Sequence, residues 1–596
     1  MAEIFILLIN LIIILYFVGY GFSSIFLPEK LRKDAFFIIP WLGVVLITFL
    51  SVALTMARIP ISQGKYIIFG ISFILLIYAL VSKKALRIFN KEVILLSFFC
   101  ISALVMLLIP LLKVGYPTTI SLGNLDPISY VNVGEFLIDN SVVSGKDIVS
   151  KSGKYASVGD LLYYSYRWGS PLILGFFSDV LTVKTYQIYT ILINIFYALT
   201  FPLVYLLSKL FFTKKSNLLM LLIFLTFTLN SILLYLLNNA FFAQFIYSGI
   251  YLLVFILLYL YISSQEFNKP VFNFYDLLLA LSITVSASIY PDGLLYLVGP
   301  FGIFLLFELF SKEKYKYLTS FGKIGLLSVL INPLVIGSAL KWNYSVFILS
   351  STAKFIGWEK IRNATPLEMT GLYNLFYYRN IPLIFDFLIS IPVIWILYSG
   401  YKTVKYKKLI LSFFIFLLIP YIYFRFTPNY YAHLKSVSYL LFFFVIIFSL
   451  GLIFILNKIK NKFIVYALVV FIGLFSVRSS YRTMYQIFWH PRVVDKALSS
   501  LEELNNNEKI KKPFYTADIY LGEYDLWARL WQGYFLMDKD ILTKEDLKFN
   551  KEKDKSKLVL ASKEHLVFGD KKIIYRSVIW ENKYYILGEI NEELTK

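Results

Sequence analysis

Two carboxylates near position 130 are the first residues in the chain that suggest chemistry. Asp126 and Glu135 lie in SLGNLDPISYVNVGE, a polar stretch that directly follows a long apolar run. A carboxylate that is held close to a hydroxyl group can accept its proton as a general base. Asp126 followed by Pro127 is also the ordinary start of a helix, with Asp126 as the cap. The sequence leaves both interpretations open, and a capping Asp can also be catalytic.

A second candidate position is a turn between two short apolar runs. SIYPDGLLY contains Tyr290 and Asp292, and its Pro-Asp-Gly sequence is most simply a tight turn. The runs on either side are short for a membrane crossing. The turn is therefore expected below the membrane surface, where Tyr290 and Asp292 would line a cavity.

A third candidate is a cationic and aromatic group in YFRFTPNYYAHLKSVSY. This stretch contains Arg425, His433 and Lys435 together with Tyr430 and Tyr431. Basic side chains of this kind bind phosphate well, and here the phosphate would be linked to a lipid. Aromatic anchoring and snorkelling basic residues at a membrane interface have the same composition, so this reading also stays open.

Two other segments add basic and aromatic residues. Arg167 stands beside Trp168 and is a further candidate for the cationic group. The segment 342–380 carries Lys354 among several aromatic residues, including Trp342. Such a segment can hold a lipid substrate or close over it, and an ordinary solvated loop has the same composition.

The elements that must position these residues are membrane-spanning helices. The 596 residues are 58% hydrophobic and only 16% charged, which is too little polar surface to coat a soluble globule of this size. Runs of roughly 17 to 25 apolar residues match the hydrocarbon core of a bilayer. The sequence predicts a polytopic α-helical membrane protein of about 14 transmembrane helices, near 3–27, 36–57, 66–82, 93–113, 185–211, 217–237, 245–263, 277–289, 294–310, 324–341, 381–400, 409–425, 437–456 and 463–478.

Basic residues are concentrated in alternate loops between these runs. Cytoplasmic loops carry an excess of Lys and Arg, so this alternation gives an orientation. The N-terminus and everything after Val477 are predicted to be extracytoplasmic, in a multi-pass protein of the cell (plasma) membrane. The net charge of +21 is then explained by topology and contact with anionic lipids, and no nucleic-acid partner is expected.

Cysteine and histidine usage restricts the kinds of site that the chain can form. The single Cys100 excludes disulfides and thiolate metal sites within the chain. His433, His490 and His565 are far apart, and none has the spacing of metal ligands. No Gly-rich phosphate loop and no GxSxG motif is found.

The C-terminal segment differs from the rest in composition. KPFYTAD, KLVLAS, IIYRSVIW and KYYILGEI have the character of short strands, and VVDKALSSLEEL has a helical period. Trp527 and Trp531 are one helical turn apart and are expected in the core, with a sugar-stacking role as the alternative. The predicted domains are 1–113 with transmembrane helices 1–4, 114–184 as an extracytoplasmic loop with interfacial helices, 185–478 with transmembrane helices 5–14, and 479–596 as an extracytoplasmic α/β domain.

This layout resembles the GT-C superfamily of integral membrane glycosyltransferases. The resemblance is carried by the many spans, the large outer loop with Asp126 near its start, the YPDG turn, the outer NYYAHLK and the C-terminal outer domain. Within the class, the chain is most similar to polyprenyl-phosphate-sugar-dependent enzymes, the arabinofuranosyltransferase-like and mannosyltransferase-like proteins. The resemblance implies a GT-C-like fold and an inverting transfer from a polyprenyl-phosphate-linked donor to a glycan or lipid-linked acceptor on the outer face.

The resemblance also implies roles for individual residues. Asp126 would be the base that deprotonates the acceptor hydroxyl. The family usually pairs two acidic residues after the first span, whereas here four spans precede Asp126; no cofactor is therefore assigned, and a divalent cation, Mg²⁺ or Mn²⁺, is left open. The remaining implied roles are lipid-phosphate binding by Arg425, Lys435 and Arg167, and a sugar pocket formed by Tyr290, Asp292, Tyr430, Tyr431, His433 and Glu135.

Other functions fit a polytopic chain as well. A lipid or glycan transporter would show ionisable residues near the bilayer midplane and repeated halves, and no repeat is visible. A glycan polymerase or ligase of another fold is the nearest enzymatic alternative. A non-catalytic anchor for the C-terminal domain would leave the 114–184 loop without a role.

Overall fold

The computed structural model describes most of the chain. Its description leaves out residues 83, 85, 87–89, 152–155, 213–216, 264–272, 312–313, 353–363, 374–382, 428, 517–524, 538, 540, 543–557, 565, 569–570 and 591–596. Lys354 of the predicted 342–380 loop therefore lies outside the described residues.

Helices make up most of the described chain. In the first half they are α1 (Ala2–Phe26), α2 (Ala35–Met56), α3 (Ile61–Val81), α4 (Lys91–Val114), α5 (Asp126–Asp139), α6 (Val142–Lys151), α7 (Ala156–Gly159), α8 (Gly169–Leu181), α9 (Thr185–Phe211), α10 (Asn217–Ile223), α11 (Ser231–Asn238) and α12 (Phe242–Ser263). In the second half they are α13 (Phe274–Ile289), α14 (Gly293–Glu308), α15 (Lys314–Ile331), α16 (Pro333–Thr352), α17 (Pro366–Met369), α18 (Leu383–Thr403), α19 (Lys407–Arg425), α20 (Tyr430–Leu456), α21 (Lys462–Trp489), α22 (Lys496–Ser499), α23 (Leu501–Asn505) and α24 (Asp525–Phe535).

The predicted count of 14 membrane crossings is not confirmed. Within the described residues, nine helices are long and apolar enough to cross a membrane, or up to eleven if each of two bent helix pairs is one span. One pair is bent by 47° next to Asn230, whose side chain caps α11, and the other by 106° at Pro333. The mean hydropathy stays high across such breaks, so the sequence predicts one straight span for each bent pair.

Two consecutive helices are shorter than a bilayer. α13 and α14 have 16 residues each. At 1.5 Å per residue each is about 24 Å long, less than the roughly 30 Å of hydrocarbon in a typical bilayer. Their connection, the Tyr290–Gly293 turn, was predicted to lie below the membrane surface for this reason.

The two ends of the helical bundle differ in the groups that they present. At one end the N-terminal ammonium donates a hydrogen bond to the Gly115 carbonyl at 2.9 Å. The sheet domain described below lies at this same end, which we call the domain end. At the opposite end, Lys209 on α9 forms ion pairs of 2.9 Å with Asp34 and with Glu92. Asp34, Glu92 and Lys209 lie at connections that the predicted topology places on one side of the membrane, and the structure has them at one end of the bundle. Which end faces the cytoplasm stays a prediction.

Three helices form the centre of the bundle. α9, α12 and α20 are buried along almost their whole length, which is expected of helices that are apolar on every face. α18 packs closely against α20, and each contributes a glycine to the contact. A Cβ on Gly400 would overlap the Ile447 carbonyl oxygen, and one on Gly451 would overlap that of Ile396. These glycines let the two backbones approach one another.

The C-terminal domain is a small mixed sheet with helices. Its five-stranded sheet has the order β4-β3-β5-β9-β8, with β3 parallel to β4 and β5 and the other pairs antiparallel. The four predicted strand segments coincide with β3, β5, β8 and β9. The strands of the chain are β1 (Ile120–Ser121), β2 (Arg492–Val493), β3 (Phe514–Thr516), β4 (Ile541–Leu542), β5 (Leu558–Ser562), β6 (Val567–Phe568), β7 (Lys571–Lys572), β8 (Tyr575–Glu581) and β9 (Tyr585–Ile590).

The sheet domain begins later than predicted. α21 continues to Trp489, beyond the boundary expected at 478, because no helix breaker occurs before Pro491. Trp527 and Trp531 are 8% and 1% exposed, so they are core residues, as expected, and not an open stacking surface.

Candidate active site

Asp126 is the first residue of α5. Leu125 occupies the cap position and no side chain caps the helix, so the expected capping role of Asp126 is not found. Instead, the Asn124 side chain accepts a hydrogen bond from the Asp126 backbone N–H at 3.3 Å. Pro127 follows at the helix start, where a missing N–H costs nothing. The half-buried Asp126 carboxylate is therefore not used to hold its own helix.

The chain that leads into α5 is fixed by the end of α11. The Leu122 N–H donates to the Asn238 carbonyl at 2.9 Å. The Asn124 side-chain amide donates to the Asn239 carbonyl at 2.8 Å. Both contacts lie within four residues of Asp126, so the position of its backbone depends on the membrane helices.

Asp292 anchors a cation at the turn between α13 and α14. Its carboxylate forms an ion pair of 2.8 Å with Arg167, and the two side chains are 18% and 17% exposed. The other Asp292 oxygen accepts a hydrogen bond of 2.7 Å from the Trp342 indole on α16. Arg167 also donates to the Tyr130 hydroxyl at 3.2 Å. Tyr130 lies one helical turn after Asp126, so this chain of contacts connects the turn to α5.

Burial and charge set the protonation states of the Arg167–Tyr130 contact. Burial raises the pKa of Tyr130 to about 12; Arg167 opposes this shift and Asp126 adds to it. Burial on its own would lower the pKa of Arg167, but Tyr130 and Asp292 outweigh it and hold that pKa well above its usual value. Arg167 is therefore a permanent cation and Tyr130 a neutral hydroxyl at physiological pH.

Lys435 places a second cation close to these groups. Its side chain, on α20, is 6% exposed and donates a hydrogen bond of 2.6 Å to the Gln244 side-chain oxygen. The ammonium nitrogen is 4.6 to 5.1 Å from the ring centroids of Phe241, Tyr431 and Tyr290. Such distances are within the range of cation–π attraction.

The two carboxylates act on this buried ammonium. Burial and the nearby Arg167 act against the charged form of Lys435, whereas the charges of Asp126 and Asp292 favour it. The Tyr290 ring lies between the two cations, 5.0 Å from the Arg167 guanidinium and 5.1 Å from the Lys435 nitrogen. Two carboxylates and two cations from distant parts of the chain thus meet at the domain end of the bundle. We call Asp126, Asp292, Arg167, Lys435, Tyr290 and Tyr431 the charge cluster.

Arg425 and His433 form a second group. Arg425 donates to the Ala364 carbonyl at 2.8 Å and to the Tyr421 hydroxyl at 3.2 Å. The fully buried His433 ring packs against the Tyr421 ring at 5.1 Å. Arg425 thus contacts a backbone carbonyl on the segment before α17, while Lys435 lies beside Tyr290 and Tyr431 of the charge cluster.

Glu135 and Tyr430 are the remaining residues of the predicted sugar pocket. Glu135 forms an ion pair of 3.0 Å with Lys184 and accepts a hydrogen bond of 3.0 Å from the Thr185 hydroxyl. It is nine residues beyond Asp126 on the same helix, about 13 Å along the axis. Tyr430 is the half-buried first residue of α20. The described contacts of Glu135 do not include the cluster residues named above.

Three residues at the site were not assigned a role from the sequence. Tyr130 carried a usable signal, because it is four residues after Asp126 on a predicted helix and so shares its face. Gln244 is a single polar residue at the start of an apolar run, which usually indicates a loop. Trp342 was noted only as part of a loop, because the bend at Pro333 that brings α16 over Asp292 is not visible in hydropathy.

The described residues were also compared with the requirements of a metal site. Among them, no group of three or more His, Cys, Asp or Glu side chains is close enough to hold a metal ion. Asp126 and Asp292 are the two carboxylates of the charge cluster, and Asp292 is paired with Arg167. Because Mg²⁺ is commonly held by one or two carboxylates together with a substrate phosphate, the requirement for a divalent cation stays open.

Comparison with known proteins gives two structural neighbours. No protein-family model and no curated protein matches the sequence. The chain is similar to the apo Archaeoglobus fulgidus oligosaccharyltransferase, with 12% identity and a TM-score of 0.48, over 79% of this chain and 70% of that one. It is also similar to the archaeal oligosaccharyltransferase AglB from Archaeoglobus fulgidus in complex with an inhibitory peptide and a dolichol-phosphate, with 13% identity and a TM-score of 0.38, over 78% and 69% of the two chains.

Both neighbours are described as oligosaccharyltransferases. The arabinofuranosyltransferase-like or mannosyltransferase-like subtype expected from the sequence is not confirmed. Because both TM-scores are below 0.5, the case for function rests on the charge cluster and not on this likeness.

Proposed function

We propose that this chain is a GT-C-type glycosyltransferase that moves a sugar from a polyprenyl-phosphate donor to a hydroxyl of a glycan or lipid-linked acceptor. One observation carries the proposal: Asp126 lies one helical turn before Tyr130, which contacts Arg167, and Arg167 and Lys435 lie 5.0 and 5.1 Å from the centroid of the same Tyr290 ring. A base beside two cations can accept the proton of the attacking hydroxyl and stabilise the phosphate that leaves the same sugar carbon.

Asp126 is the proposed general base. The acceptor hydroxyl gives its proton to the Asp126 carboxylate as its oxygen bonds to the anomeric carbon. The bond from that carbon to the phosphate oxygen breaks on the opposite face, so the anomeric configuration is inverted. The polyprenyl phosphate leaves with the bonding electron pair.

Lys435 and Arg167 are the proposed partners of the phosphate. Negative charge grows on the departing phosphate, and cations that are already in place stabilise it without reorganising. The aromatic rings around Lys435 keep water away, which strengthens this attraction. Asp292 and Tyr130 hold Arg167 in position, and Tyr290, between the two cations, is a proposed wall of the sugar site. These positions require the domain end to face outwards, as the loop charges predict.

The first test is sugar transfer in proteoliposomes. We expect Asp126→Asn to lower the rate of transfer from radiolabelled polyprenyl-phosphate sugars by roughly 10² to 10⁴-fold, the usual contribution of a general base. Asp139→Asn is the matched control, because Asp139 is an exposed acid at the other end of the same helix. That variant is expected to transfer at the wild-type rate.

Two further arms complete this experiment. Addition of EDTA tests whether a divalent cation is required, independently of the substitution. Equal transfer by Asp126→Asn and the wild type would remove Asp126 as the base. Absence of transfer from every donor by the wild type would contradict the proposed function and favour a transporter or a ligase.

A further inference from the structure

We propose that the C-terminal sheet domain positions Asp126 by holding residues 118–139 at both ends. This inference rests on the proposed function for its catalytic consequence. The attachment of residues 118–139 to the sheet domain can be measured without it. The two points of attachment lie before Asp126, at β1, and after it, near the end of α5.

The first attachment is a strand pair. β1 pairs antiparallel with β2, the strand that connects α21 to the sheet domain. The Thr118 hydroxyl donates to the Val494 carbonyl at 2.6 Å, and the Val494 N–H donates to the Thr119 carbonyl at 3.0 Å. Thr118 and Thr119 are at most 1% exposed, so these bonds are shielded from water.

The same contact continues toward Asp126. The Arg492 side chain lies directly against Gly123, where a Cβ would collide with the guanidinium. Gly123 has a φ of +98°, which a residue with a side chain rarely adopts. Only two residues separate Gly123 from Asp126, so a shift of β2 changes the path of the chain into α5.

The second attachment is a polar group near the end of α5. The Glu135 carboxylate accepts from the Thr185 hydroxyl at 3.0 Å and from the Tyr534 hydroxyl at 3.5 Å. Lys184 bridges Glu135 at 3.0 Å and Glu502 at 3.3 Å. Tyr534 belongs to α24 and Glu502 to α23, so both come from the sheet domain.

A helix transmits such constraints because it is stiff. α5 has 14 residues, about 20 Å, and its first residue is the proposed base. A displacement of about 1 Å at a reacting group can cost about 100-fold in rate. Glu135 and Tyr534 are too far along the helix to reach the reacting atoms, so they are positioning residues.

The test uses two variants that each remove one hydroxyl. In Thr118→Val and Tyr534→Phe, we expect hydrogen exchange of residues 118–139 in the full-length reconstituted protein to rise about five-fold, as for the loss of one hydrogen bond of about 1 kcal/mol. The turnover number is expected to fall about ten-fold with an unchanged donor KM, because Lys435 stays on α20. The double variant should show larger changes in both quantities.

Tyr575→Phe is the matched control. The Tyr575 hydroxyl donates to the Ile586 carbonyl inside the sheet, at 3.3 Å. Its loss should leave both the exchange of 118–139 and the turnover number unchanged. This control separates attachment to α5 from general weakening of the domain.

The possible results lead to different conclusions. Unchanged exchange of 118–139 in both variants would overturn the inference. Faster exchange with an unchanged turnover number would support the attachment but overturn the positioning of Asp126. If the wild type transfers no sugar, the proposed function fails, while the exchange experiment still decides whether the sheet domain holds this segment.

Discussion

Lys435 is the residue whose placement is hardest to explain by structure alone. Taking an ammonium group out of water costs several kcal/mol unless it is well paired. Its described hydrogen bond goes to the neutral Gln244, and Gln244 in turn donates to Ser438 at 2.7 Å. The carboxylates of the charge cluster act on it from a distance, without a direct ion pair described here. A negatively charged ligand would supply the missing close partner.

Lys435→Met separates binding from folding. We expect this variant to lose at least about ten-fold in affinity for polyprenyl phosphate without a loss of thermal stability, because replacing a buried charge by an apolar chain of similar volume is often neutral or stabilising. Binding would be measured by titration in detergent, with unfolding followed in the same samples. Lys408→Met is the control, since Lys408 pairs with Glu308 at the opposite end of the bundle. Wild-type affinity in Lys435→Met would exclude Lys435 as the phosphate ligand.

The residue types at the site were predictable, but their pairing was not. Asp126, Asp292 and Lys435 attract notice in the sequence because charge is rare beside apolar runs. Which cation meets which carboxylate depends on helix packing: Arg425 was grouped with Lys435 because they are ten residues apart, yet its described hydrogen bonds are to Ala364 and Tyr421. Arg425 ends α19 and Lys435 lies on α20, so their closeness in sequence does not determine which residues each of them contacts.

Close contact between α18 and α20 shows how whole elements support the site. Gly400 and Gly451 let the two backbones touch, and α20 carries Lys435 at its domain end. Helix contacts of this kind depend on small residues. Lipid tails are as apolar as the helix surfaces, so the hydrophobic effect does not favour association and close packing must do so. The site is therefore expected to depend on Gly451, at the opposite end of the same helix, and on Gly400 of α18, which lies against it.

Gly451→Ala tests this dependence. We expect it to lower the thermal unfolding temperature clearly, because its methyl group would overlap the Ile396 carbonyl, and overpacking of this kind typically costs about 1 to 3 kcal/mol. Gly302→Ala on α14 is the control, since no atom lies within 4 Å of a Cβ there. It should be neutral or stabilising, given the helix propensity of Ala. Equal unfolding temperatures for the two variants would contradict the tight contact.

Elements were predicted well where periodicity is strong and poorly where a helix bends. The four strand segments of the sheet domain were found because β-branched and aromatic residues are concentrated there. The number of membrane helices is not confirmed, and the bends at Asn230 and Pro333 were not predicted because they interrupt runs that remain apolar on average. The close contact at Gly451 has no sequence signal, since isolated glycines occur elsewhere on these helices with open space around them.

The orientation of the whole molecule decides whether the site is on the outer face. The structure shows that the charge cluster and the sheet domain share one end of the bundle, while the Lys209 ion pairs are at the other. The loop charges predict that the domain end is outside.

Cysteine labelling in intact cells tests the orientation. Lys512→Cys lies on the exposed surface of the sheet domain, and Lys460→Cys lies in the exposed connection between α20 and α21. We expect a membrane-impermeant maleimide to label the first variant directly and the second only after permeabilisation. The unsubstituted chain, with Cys100 alone, provides the background. The reverse labelling pattern would place Asp126 in the cytoplasm and exclude transfer on the outer face.

The shortness of α13 and α14 has a consequence for the lipid around the protein. A pair of helices of about 24 Å cannot match a bilayer of about 30 Å, so acyl chains next to them must compress or splay. Headgroups and water then dip toward the Tyr290–Gly293 turn. In the proposed reaction, a lipid-linked phosphate arriving there would stay at its normal depth among the headgroups while it approaches Lys435. The protein would in this way deform the bilayer to meet its substrate, and would not need to lift that substrate out of it.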